Sequence, residues 1–457
     1  MERGTSHFIG IGGIGMSAIA RILLLRGESV TGSDLVDSPL VTELRAAGAH
    51  ITIGHDPRNV NGAREVIVSS AIDARNLERL RALERGIPVV RRGEMLARLM
   101  RERKGIGVCG THGKTTTTAM TAAIMQSGGI DPTVLLGGIA CETGTNARAG
   151  SSPWFLTEAD ESDGSFALLD PLVAVVTNIE NDHLKSDADL PQLVRAFERF
   201  LGKLPANGTA VIGIDSPLCK TLAAKRRSAA TVSVGLDPSA DLCAFNMEQA
   251  HERCSFDVIA GGVCLGSVQL RVPGRMNVQN ALAALAVGRA LEIPFAAIAG
   301  ALQQFSGVRR RFEILIETAR MTVVDDYAHH PTAVRGTIAT ARAYRSGPLI
   351  VAFQPHRFTR TAYLAADFAA ALAEADAVYL TPIYAAGESP VSGVTERTIG
   401  KPLSLSGAQV RYVSDVRDLR PVILREAPRG STVLMLGAGD ITTVAAALAQ
   451  DVRIVAA

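Results

Sequence analysis

The strongest chemical signal in the chain is a run rich in glycine and threonine, Gly110-Thr111-His112-Gly113-Lys114-Thr115-Thr116. It follows the apolar segment GIGVC and precedes an Ala- and Met-rich stretch, which predicts a turn between a strand and a helix. Such a turn places backbone N–H groups around phosphates, with Lys114 on the outer phosphates and the Thr115 hydroxyl on Mg²⁺. The first glycine of the common GxxxxGK[ST] pattern would fall on Val108, so the spacing differs from that pattern. The run therefore predicts a specialised ATP site and not that of a generic kinase or GTPase.

A second glycine-rich turn lies near the amino terminus, where HFIGI leads into Gly10, Gly12, Gly13 and Gly15. Glycines in this G-x-G-x-x-G context let the backbone approach a diphosphate at the start of a helix. Asp34, which ends the segment ESVTGSD, stands where a dehydrogenase places its ribose-binding acid. Taken alone the motif indicates NAD, but any nucleoside diphosphate satisfies the same physics. A tight turn without a ligand is the alternative.

Polar residues also cluster after two further apolar segments of the middle region. They are Glu158, Asp160, Glu161 and Asp163 after WFLTEA, and Asn178, Glu180, Asp182 and His183 after LVAVVTN. The carboxyl ends of parallel strands meet at the edge where α/β sheets bind ligands. We expect Glu158 and His183 to complete, with Thr115, the ligands of Mg²⁺, although a histidine ligand is unusual for this ion. Asp163 and Asp187 are interpreted as solvated loop charges.

The last third of the chain carries two dense polar segments, each beyond a predicted strand. They contain Asp325, Asp326, Tyr327, His329 and His330, and then His356, Arg357, Thr359 and Arg360. Arginines three residues apart can clamp a carboxylate, and a small amino acid is the obvious candidate. Arg309–Arg311 could instead reach an ATP phosphate when domains close, and His330 is left as a candidate surface turn. A metal site at the two adjacent histidines is disfavoured, because no third ligand lies at a suitable spacing.

The glycine turn Gly437-Ala438-Gly439 follows the strand candidate STVLML. It is weak support for a second dinucleotide site, and a close-packed turn explains it equally well.

The elements that must position these residues alternate along almost the whole chain. Short apolar runs are followed by turns and Ala/Leu-rich stretches, the pattern of parallel α/β sheets. An alternating segment around Gly261-Gly262 differs and predicts an antiparallel hairpin. Basic breaks at 101–105 and 307–313 suggest three α/β domains, residues 1–103, 104–307 and 308–457.

Composition excludes several classes of protein. The 457 residues are 47% apolar and 20% charged, which is the composition of a globular protein. The net charge of +2 lacks the positive excess that is typical of nucleic-acid-binding proteins. The six cysteines form no CxxC pair, so we expect buried thiols and no disulfide framework. Neither a signal peptide nor a membrane-length apolar run is present, and a cytoplasmic protein that uses no membrane is expected.

Taken together, the motifs resemble the Mur ligase family over nearly the full chain. They are GIGGIGMS, GTHGKTTTT, EADESD, NIENDH, PGRMNVQNA, RRRFE, DDYAHHP, FQPHRFTR and LGAGDI. The first of these and the pair DDYAHHP and FQPHRFTR resemble the branch that adds L-alanine to UDP-N-acetylmuramate in peptidoglycan synthesis, a process of cell shape and division. The resemblance implies a Rossmann-like N-terminal domain, a P-loop ATPase-like central domain and a Rossmann-like C-terminal domain. It further implies ATP, Mg²⁺ (or Mn²⁺) and a monomer or weak homodimer.

The resemblance also implies roles for individual residues. The first domain binds the UDP-sugar through its glycine turn, with Asp34, Ser69 and Ser70 at the uridine or diphosphate and His112 nearby. The central domain binds ATP through residues 110–116, with Asn277 and Asn280 near the adenine and Arg310 reaching in from the third domain. Tyr327, His356, Arg357 and Arg360 bind L-alanine. Relatives carry a carbamylated lysine where this chain has Glu198.

The implied reaction proceeds through an acyl phosphate, with Lys114 and His183 among the catalytic groups. Either His329 or Asp326 takes the proton of the alanine amine. Three alternatives stay open: a recycling ligase that attaches a ready-made peptide, an NAD-dependent dehydrogenase, and a non-catalytic nucleotide sensor.

Overall fold

The computed structural model describes residues 4–159, 164–181, 190–225, 230–250 and 253–456. The described strands form three sheets that follow one another along the chain, and helices pack against them. The apolar runs that were predicted to be strands, such as GIGVC and WFLTEA, are strands in the structure. This confirms the α/β class.

The first sheet has the strand order β3-β2-β1-β4-β5, and all its pairings are parallel. This is the order of a Rossmann-like half, in which ligands bind beyond the carboxyl ends of the central strands. Its elements are β1 (Thr5–Ile9), α1 (Ile14–Leu25), β2 (Val30–Asp34), α2 (Pro39–Ala46), β3 (His50–Ile53), β4 (Ala63–Val68), α3 (Leu77–Glu84), β5 (Val89–Arg91) and α4 (Arg92–Arg101). The glycine turn therefore lies between β1 and α1, at the point where the strand order reverses.

The second sheet has the order β15-β14-β13-β12-β11-β10-β6-β9-β7-β8. Its strands are β6 (Lys104–Cys109), β7 (Thr133–Leu135), β8 (Ala147–Arg148), β9 (Trp154–Glu158), β10 (Val173–Val176), β11 (Thr209–Gly213), β12 (Thr231–Gly235), β13 (Leu242–Ala250), β14 (Arg253–Ala260) and β15 (Val263–Leu270). Its helices are α5 (Lys114–Ser127), α6 (Leu190–Gly202), α7 (Pro217–Lys225), α8 (Arg275–Ala290) and α9 (Phe295–Gln304). The predicted hairpin is confirmed, since β14 and β15 pair antiparallel around Gly261 and Gly262.

The third sheet has the order β16-β17-β21-β18-β19-β20 and is parallel except at β16. Its strands are β16 (Glu313–Glu317), β17 (Met321–Asp326), β18 (Leu349–Phe353), β19 (Ala377–Leu380), β20 (Gln409–Tyr412) and β21 (Ser431–Leu436). Its helices are α10 (Pro331–Tyr344), α11 (Phe358–Tyr363), α12 (Ala365–Leu372), α13 (Arg397–Leu405), α14 (Leu419–Glu426) and α15 (Ile441–Ala456). The polar segments after β17 and β18 lie on either side of β21, so the fold brings them to one edge.

Buried apolar clusters lie between the sheets and their helices. One cluster joins the first sheet to the central one, through residues such as Phe8 and Phe155, and separate clusters cover the two faces of the third sheet. All six cysteines are reduced. The expectation of buried thiols is wrong for Cys141, which is half-buried, and for Cys264, which is exposed on the edge strand β15. In the described part of the chain, the helices lack the length and hydropathy that crossing a bilayer requires.

Candidate active site

A cleft of about 1340 Å³ opens where the three sheets meet. The first domain contributes residues 12–16 and 69–70, the central domain contributes 111–116 and residues within 273–280, and the third contributes residues within 309–315 and 325–333. Most of these groups stand at the carboxyl end of a parallel strand or at the start of the helix that follows, whereas 273–280 lead from antiparallel β15 into α8 and 309–315 lead into β16. Such edges bind ligands in α/β proteins because helix amino termini and loop side chains converge there.

The phosphate loop is held in shape by the strand and helix beside it. Gly113 has φ +83°, a backbone conformation that favours glycine, and a Cβ at this position would meet Oδ1 of Asn280. Asn280 in turn accepts a hydrogen bond from the Thr117 hydroxyl at 3.2 Å. The ammonium of Lys114 donates to the carbonyl of Gly110 at 2.6 Å and is therefore held against the backbone of the loop. The geometry keeps a positive charge at the start of α5, where an anion is favoured.

Thr115 and Glu158 present oxygen atoms to each other beside this loop. The Thr115 hydroxyl donates to Oε2 of Glu158 at 2.9 Å, and the amide of Gly137 donates to the other oxygen of the same carboxylate. A Cβ on Gly137 would press against that carboxylate at 2.7 Å, so glycine permits the close approach. A hydroxyl and a carboxylate at the phosphate edge are the donors that Mg²⁺ prefers.

The first glycine turn faces the cleft with Gly12, Gly13 and Gly15, whereas Asp34 lies beneath it. Oδ2 of Asp34 accepts the N–H of Gly12 at 2.8 Å, and Asp34 does not line the cleft. Asp34 therefore braces the turn, and its contact with a uridine or diphosphate stays a prediction. The sequence analysis missed Arg92, the first residue of α4, whose guanidinium would lie 3.2 Å from a Cβ on Gly15. It supplies a positive charge where a diphosphate would bind.

The segment after β17 holds an aromatic ring between two arginines. The guanidinium carbons of Arg310 and Arg311 each lie 4.9 Å from the centre of the Tyr327 ring. Nδ1 of His329 lies 2.8 Å from the carbonyl oxygen of Tyr327. Because a carbonyl can only accept, Nδ1 donates, and the neutral imidazole then carries its lone pair on Nε2.

Asp326 is buried just before this segment, with both of its carboxylate oxygens bonded to backbone. They accept the amides of Phe312 and Ala328, each at 2.7 Å. Burial raises the pKa of this carboxyl above its usual value, and Arg311 opposes that effect only in part. The carboxylate of Asp326 therefore shapes the loop, and His329 presents the better-placed proton acceptor.

Asp325 and Arg310 join β17 to the glycine turn after β21. Nη2 of Arg310 donates to the carbonyl of Gly437 at 2.6 Å, and Nε of Arg310 lies 3.7 Å from Oδ2 of Asp325. A Cβ on Gly439 would stand 2.4 Å from Oε1 of Gln354. These contacts favour the close-packed turn over a second dinucleotide site. They also place Arg310 on its own domain, although it lines the cleft.

The segment after β18 presents one bonded and one strained arginine. Nη1 of Arg360 donates to Nδ1 of His356 at 3.1 Å, and the His356 ring stacks on Tyr384 with centroids 5.7 Å apart. Arg357 has φ +70° and ψ 139°, a backbone conformation that residues other than glycine seldom adopt. Thr359, by contrast, turns away from the cleft to donate to Glu388 at 2.7 Å.

A polar cluster links the phosphate loop to the third sheet. Nε2 of His112 donates to Oε2 of Glu180 at 3.3 Å, and the Thr332 hydroxyl donates to the same oxygen at 2.7 Å. His330 is only 6% exposed and its ring centre lies 5.1 Å from that of His112, so its interpretation as a surface turn is wrong. The spacing argument found no third metal ligand, yet folding brings His112, Glu180 and His330 together. Sequence spacing could not show this, because the three residues lie far apart along the chain.

Most residues singled out in the sequence line this single cleft. They are Gly12, Gly13, Gly15, Ser69, Ser70, Thr111, His112, Gly113, Lys114, Thr115, Thr116, Glu158, Asn277, Asn280, Arg310, Asp326, Tyr327, His329, His356, Arg357 and Arg360. Gly10 and Gly110 lie at the bases of the two turns with positive φ. Glu198 pairs with Lys225 at 3.2 Å and does not line the cleft. The following lie outside the described residues: Asp160, Glu161, Asp163, Asp182, His183 and Asp187.

Comparison with known proteins agrees with this architecture. Three family models match in order: "Mur ligase family, catalytic domain" at residues 5–104, "Mur ligase middle domain" at 108–288 and "Mur ligase, glutamate ligase domain" at 310–439. The UDP-N-acetylmuramate–L-alanine ligase of Pelotomaculum thermopropionicum is 42% identical over 98% of this chain and 97% of its own. The enzyme of the same name from Geobacter sp. (strain M21) is 44% identical over 96% and 95%.

Solved structures show the same arrangement. The UDP-N-acetylmuramate-alanine ligase from Thermotoga maritima superimposes with a TM-score of 0.86 at 30% identity, covering 99% of this chain and 100% of that one. A murein peptide ligase from Psychrobacter arcticus shares the fold with a TM-score of 0.73 at 24% identity, covering 97% and 99%. With three family models spanning most of its length and relatives above two-fifths identity along nearly all of it, the chain belongs to the Mur ligase family.

Proposed function

We propose that this chain is an ATP-dependent ligase that joins L-alanine to the lactyl carboxylate of UDP-N-acetylmuramate in peptidoglycan precursor synthesis. The observation that supports the proposal is the cleft in which the first glycine turn, the phosphate loop and the arginines of the third domain face one another. The curated relatives that resemble the chain along nearly its whole length have this activity in their names. An NAD-dependent dehydrogenase has no use for the phosphate loop, and a nucleotide sensor none for the arginine cluster.

Each domain has its own substrate in this proposal. Residues 1–103 bind the UDP-sugar, with Ser69, Ser70 and Arg92 at the diphosphate. Residues 104–307 bind ATP, with Asn277 and Asn280 towards the adenine. Residues 308–457 bind L-alanine. The enzyme acts in the cytoplasm, where ATP and UDP-sugars are made, as a monomer or weak homodimer that needs neither nucleic acid nor membrane.

The oxygen donors at the phosphate edge fit a magnesium ion. Thr115 and Glu158 would hold it, with Mn²⁺ as the alternative ion and His183 as a further ligand from outside the described residues. When bound there, the ion supplies positive charge that offsets the charge of the phosphates.

The chemistry then divides between two ends of the cleft. A lactyl carboxylate oxygen attacks the γ-phosphorus of ATP, the bond to ADP breaks, and an acyl phosphate forms. Lys114 and the amides of the phosphate loop stabilise the transferring charge. The amine of L-alanine next attacks the acyl carbon, and phosphate leaves with the electrons of the C–O bond.

Residues of the third domain prepare the amine and exclude water. The amine must lose a proton to attack, and Nε2 of His329 is the acceptor, because Nδ1 is committed as a donor to Tyr327. We assign this role to His329 rather than Asp326, since backbone amides occupy both Asp326 oxygens. Arg357 and Arg360 hold the alanine carboxylate, and Tyr327 and His356 form the walls beside it.

The test follows phosphate release from ATP and Mg²⁺ while one component at a time is omitted. We expect release that requires both UDP-N-acetylmuramate and L-alanine, and a product heavier by one alanine residue. Release supported by a tripeptide and not by L-alanine would move the chain to the recycling ligases. No release with any acceptor would contradict the proposal.

A further inference from the structure

Four side chains connect the phosphate loop to the third domain in a way that the proposed reaction has not used. His112 belongs to the loop itself, Glu180 follows β10 of the central sheet, and His330 and Thr332 stand at the start of α10. Oε2 of Glu180 accepts from His112 at 3.3 Å and from Thr332 at 2.7 Å. Nε2 of His330 donates to the carbonyl of Asn181 at 3.3 Å. The two hydrogen bonds made by Thr332 and His330 cross from the third domain to the central one.

On the central side, Glu180 and the loop form one unit. The Thr111 hydroxyl accepts the amide of Glu180 at 2.8 Å and donates to its carbonyl at 3.3 Å. The carbonyl of His112 accepts from the Thr177 hydroxyl at 2.6 Å, and its amide donates to Asn178 at 2.8 Å. A contact made to the Glu180 carboxylate is therefore transmitted to the loop that carries Lys114.

On the other side, the same contact reaches the alanine-binding segment. Thr332 lies in the first turn of α10, directly after the segment that contains Tyr327 and His329. Pro331 fixes the backbone at the start of the helix. The backbone of the preceding segment is hydrogen-bonded to Arg310 and Asp326. The position of His329 relative to Thr332 is therefore well defined. Thr332 thus ties the position of His329 to that of the loop.

The charge of Glu180 supports this contact. Burial alone would raise the pKa of its carboxyl, but the hydrogen bond and charge of His112, with help from Thr332 and His330, hold the pKa below its usual value. An ionised carboxylate accepts hydrogen bonds more strongly than a neutral group does.

We propose that Glu180 and Thr332 are positioning residues that fasten the alanine-binding domain onto the occupied phosphate loop, so that the amine meets the acyl phosphate before water does. The inference rests on the proposed function. It assigns these residues no contact with the reacting atoms: they act through His112 on one side and through the segment of His329 on the other.

A metal ion is the competing explanation for the cluster. Ligand atoms of His112, Glu180 and His330 lie within 4.8 Å of one another, which is close enough for a tetrahedral zinc site. The hydrogen bond from Thr332 accounts for the position of the Glu180 carboxylate without a metal ion. The two explanations are separated by whether the effect of a substitution depends on added zinc.

The test compares Thr332→Val with Thr332→Ser and with Glu180→Gln in the full-length enzyme. Valine keeps the shape of threonine and removes the donor, and we expect KM for L-alanine to rise about tenfold. The affinity for ATP alone should stay within about twofold of the original, since the loop is intact. Phosphate release should exceed ligated product, because water reaches the acyl phosphate. Thr332→Ser should restore the original KM for L-alanine and the original ratio of phosphate to product. Glu180→Gln should change these two quantities in the same direction as Thr332→Val.

Tyr344→Phe is the matched control. Tyr344 ends the same helix, and its hydroxyl also donates to a carboxylate at 2.7 Å, that of Glu317, but within the third domain. This variant should keep equal amounts of phosphate and product.

Three outcomes would overturn the inference. They are equal coupling in Thr332→Val and the original enzyme, an ATP affinity that falls as much as that for alanine, or an effect that depends on added zinc. If the unaltered enzyme itself shows no alanine-dependent phosphate release, the proposed function fails instead.

Discussion

Two arginines of one short segment are held in different ways, and the difference suggests what each does. Arg360 is buried and bonded to His356, so its orientation is set by the protein. Arg357 has a strained backbone with φ +70°. Strain of this kind is retained where function requires it. We infer that Arg357 binds the carboxylate of the amino acid.

Arg357 therefore predicts an unusual pattern of stability and activity. Arg357→Ala and Arg357→Gly should both raise KM for L-alanine about a hundredfold, because each removes a charge-assisted pair with the carboxylate. Arg357→Gly should be more stable than Arg357→Ala by about 1 kcal/mol, since glycine relieves the positive φ. Urea unfolding of the two variants measures this difference. Equal stability would show that the strain inferred for this position does not exist.

Lys114 predicts a loss of turnover without a loss of folding. Its ammonium lies within the loop and contributes mainly to charge on the transferring phosphate. Lys114→Ala should lower kcat by about a hundredfold or more, while the thermal midpoint changes little. Lys104→Ala is the matched control, because Lys104 is exposed and packs over Trp154 outside the cleft. Near-normal turnover of Lys114→Ala would refute the ATP assignment of the loop.

Asp325 predicts how stability depends on pH. Burial raises the pKa of its carboxyl to about 6, against the opposing effects of Thr442 and Arg310. The folded state then binds a proton more tightly than the unfolded state does. The stability from this group is full below the unfolded pKa and is lost as pH rises through about 6, at a cost of up to ~3 kcal/mol.

Asp325→Asn removes this titration. Its thermal midpoint relative to the original protein should rise as the pH increases from about 5 to about 7.5. Asp367→Asn, an exposed substitution in the same domain, should show a constant difference over this range. A difference for Asp325→Asn that is flat or falls with pH would contradict the raised pKa.

At the scale of elements, the phosphate loop depends on a glycine with φ +83°. In Gly113→Ala the left-handed backbone is strained, and the Asn280 side chain must move to make room for the added Cβ. We expect the affinity for ATP to fall more than about tenfold, along with a lower thermal midpoint. Gly129→Ala is the matched control: its φ of +77° is similar, but nothing lies within 4 Å. It should lose about 1 kcal/mol of stability and keep its affinity for ATP. Equal ATP affinities in both variants would contradict this account of the loop.

Elements were predictable from the sequence because their signals are local. Apolar runs such as WFLTEA and STVLML became β9 and β21, and a Gly-Gly pair marked the β14–β15 hairpin. Glycine turns after such strands were recognised for the same reason. The cleft followed from a general rule, since parallel strands bring their carboxyl ends to one edge.

Contacts between distant segments were not predictable in this way. The pairing of Glu180 with Thr332 spans 152 residues, and the bracing of Gly12 by Asp34 spans 22. Neither leaves a periodic trace in the sequence. Asp34 was expected in the ligand site because its position resembles that of a ribose acid, and the motif did not predict that its oxygen also satisfies a backbone donor of the turn. His330 was interpreted as exposed because burial by another domain cannot be recognised locally.

At the scale of the whole molecule, the three domains meet through polar contacts as well as apolar ones. Asn146 of the central domain is fully buried, and its amide nitrogen donates to the carbonyl of Ile14 and to the hydroxyl of Ser17, each at 2.8 Å. This fastens the helix of the first glycine turn to the ATP-binding domain. The contact between Glu180 and Thr332 joins the third domain to the central one in the same way. The first and third domains are thus both attached to the central domain at the rim of the cleft. The proposed reaction requires such an arrangement, because in it each substrate is held by a different domain.

The central claim is that ATP activates a carboxylate which alanine then attacks in this cleft. It is tested most directly with UDP-N-acetylmuramate labelled with ¹⁸O in its lactyl carboxylate, supplied together with ATP, Mg²⁺ and L-alanine. Mass spectrometry of the released phosphate should find one ¹⁸O for every alanine joined, because the attacking carboxylate oxygen leaves with the phosphate. Phosphate without the label, carrying oxygen from water instead, would show that ATP is merely hydrolysed and would contradict the account.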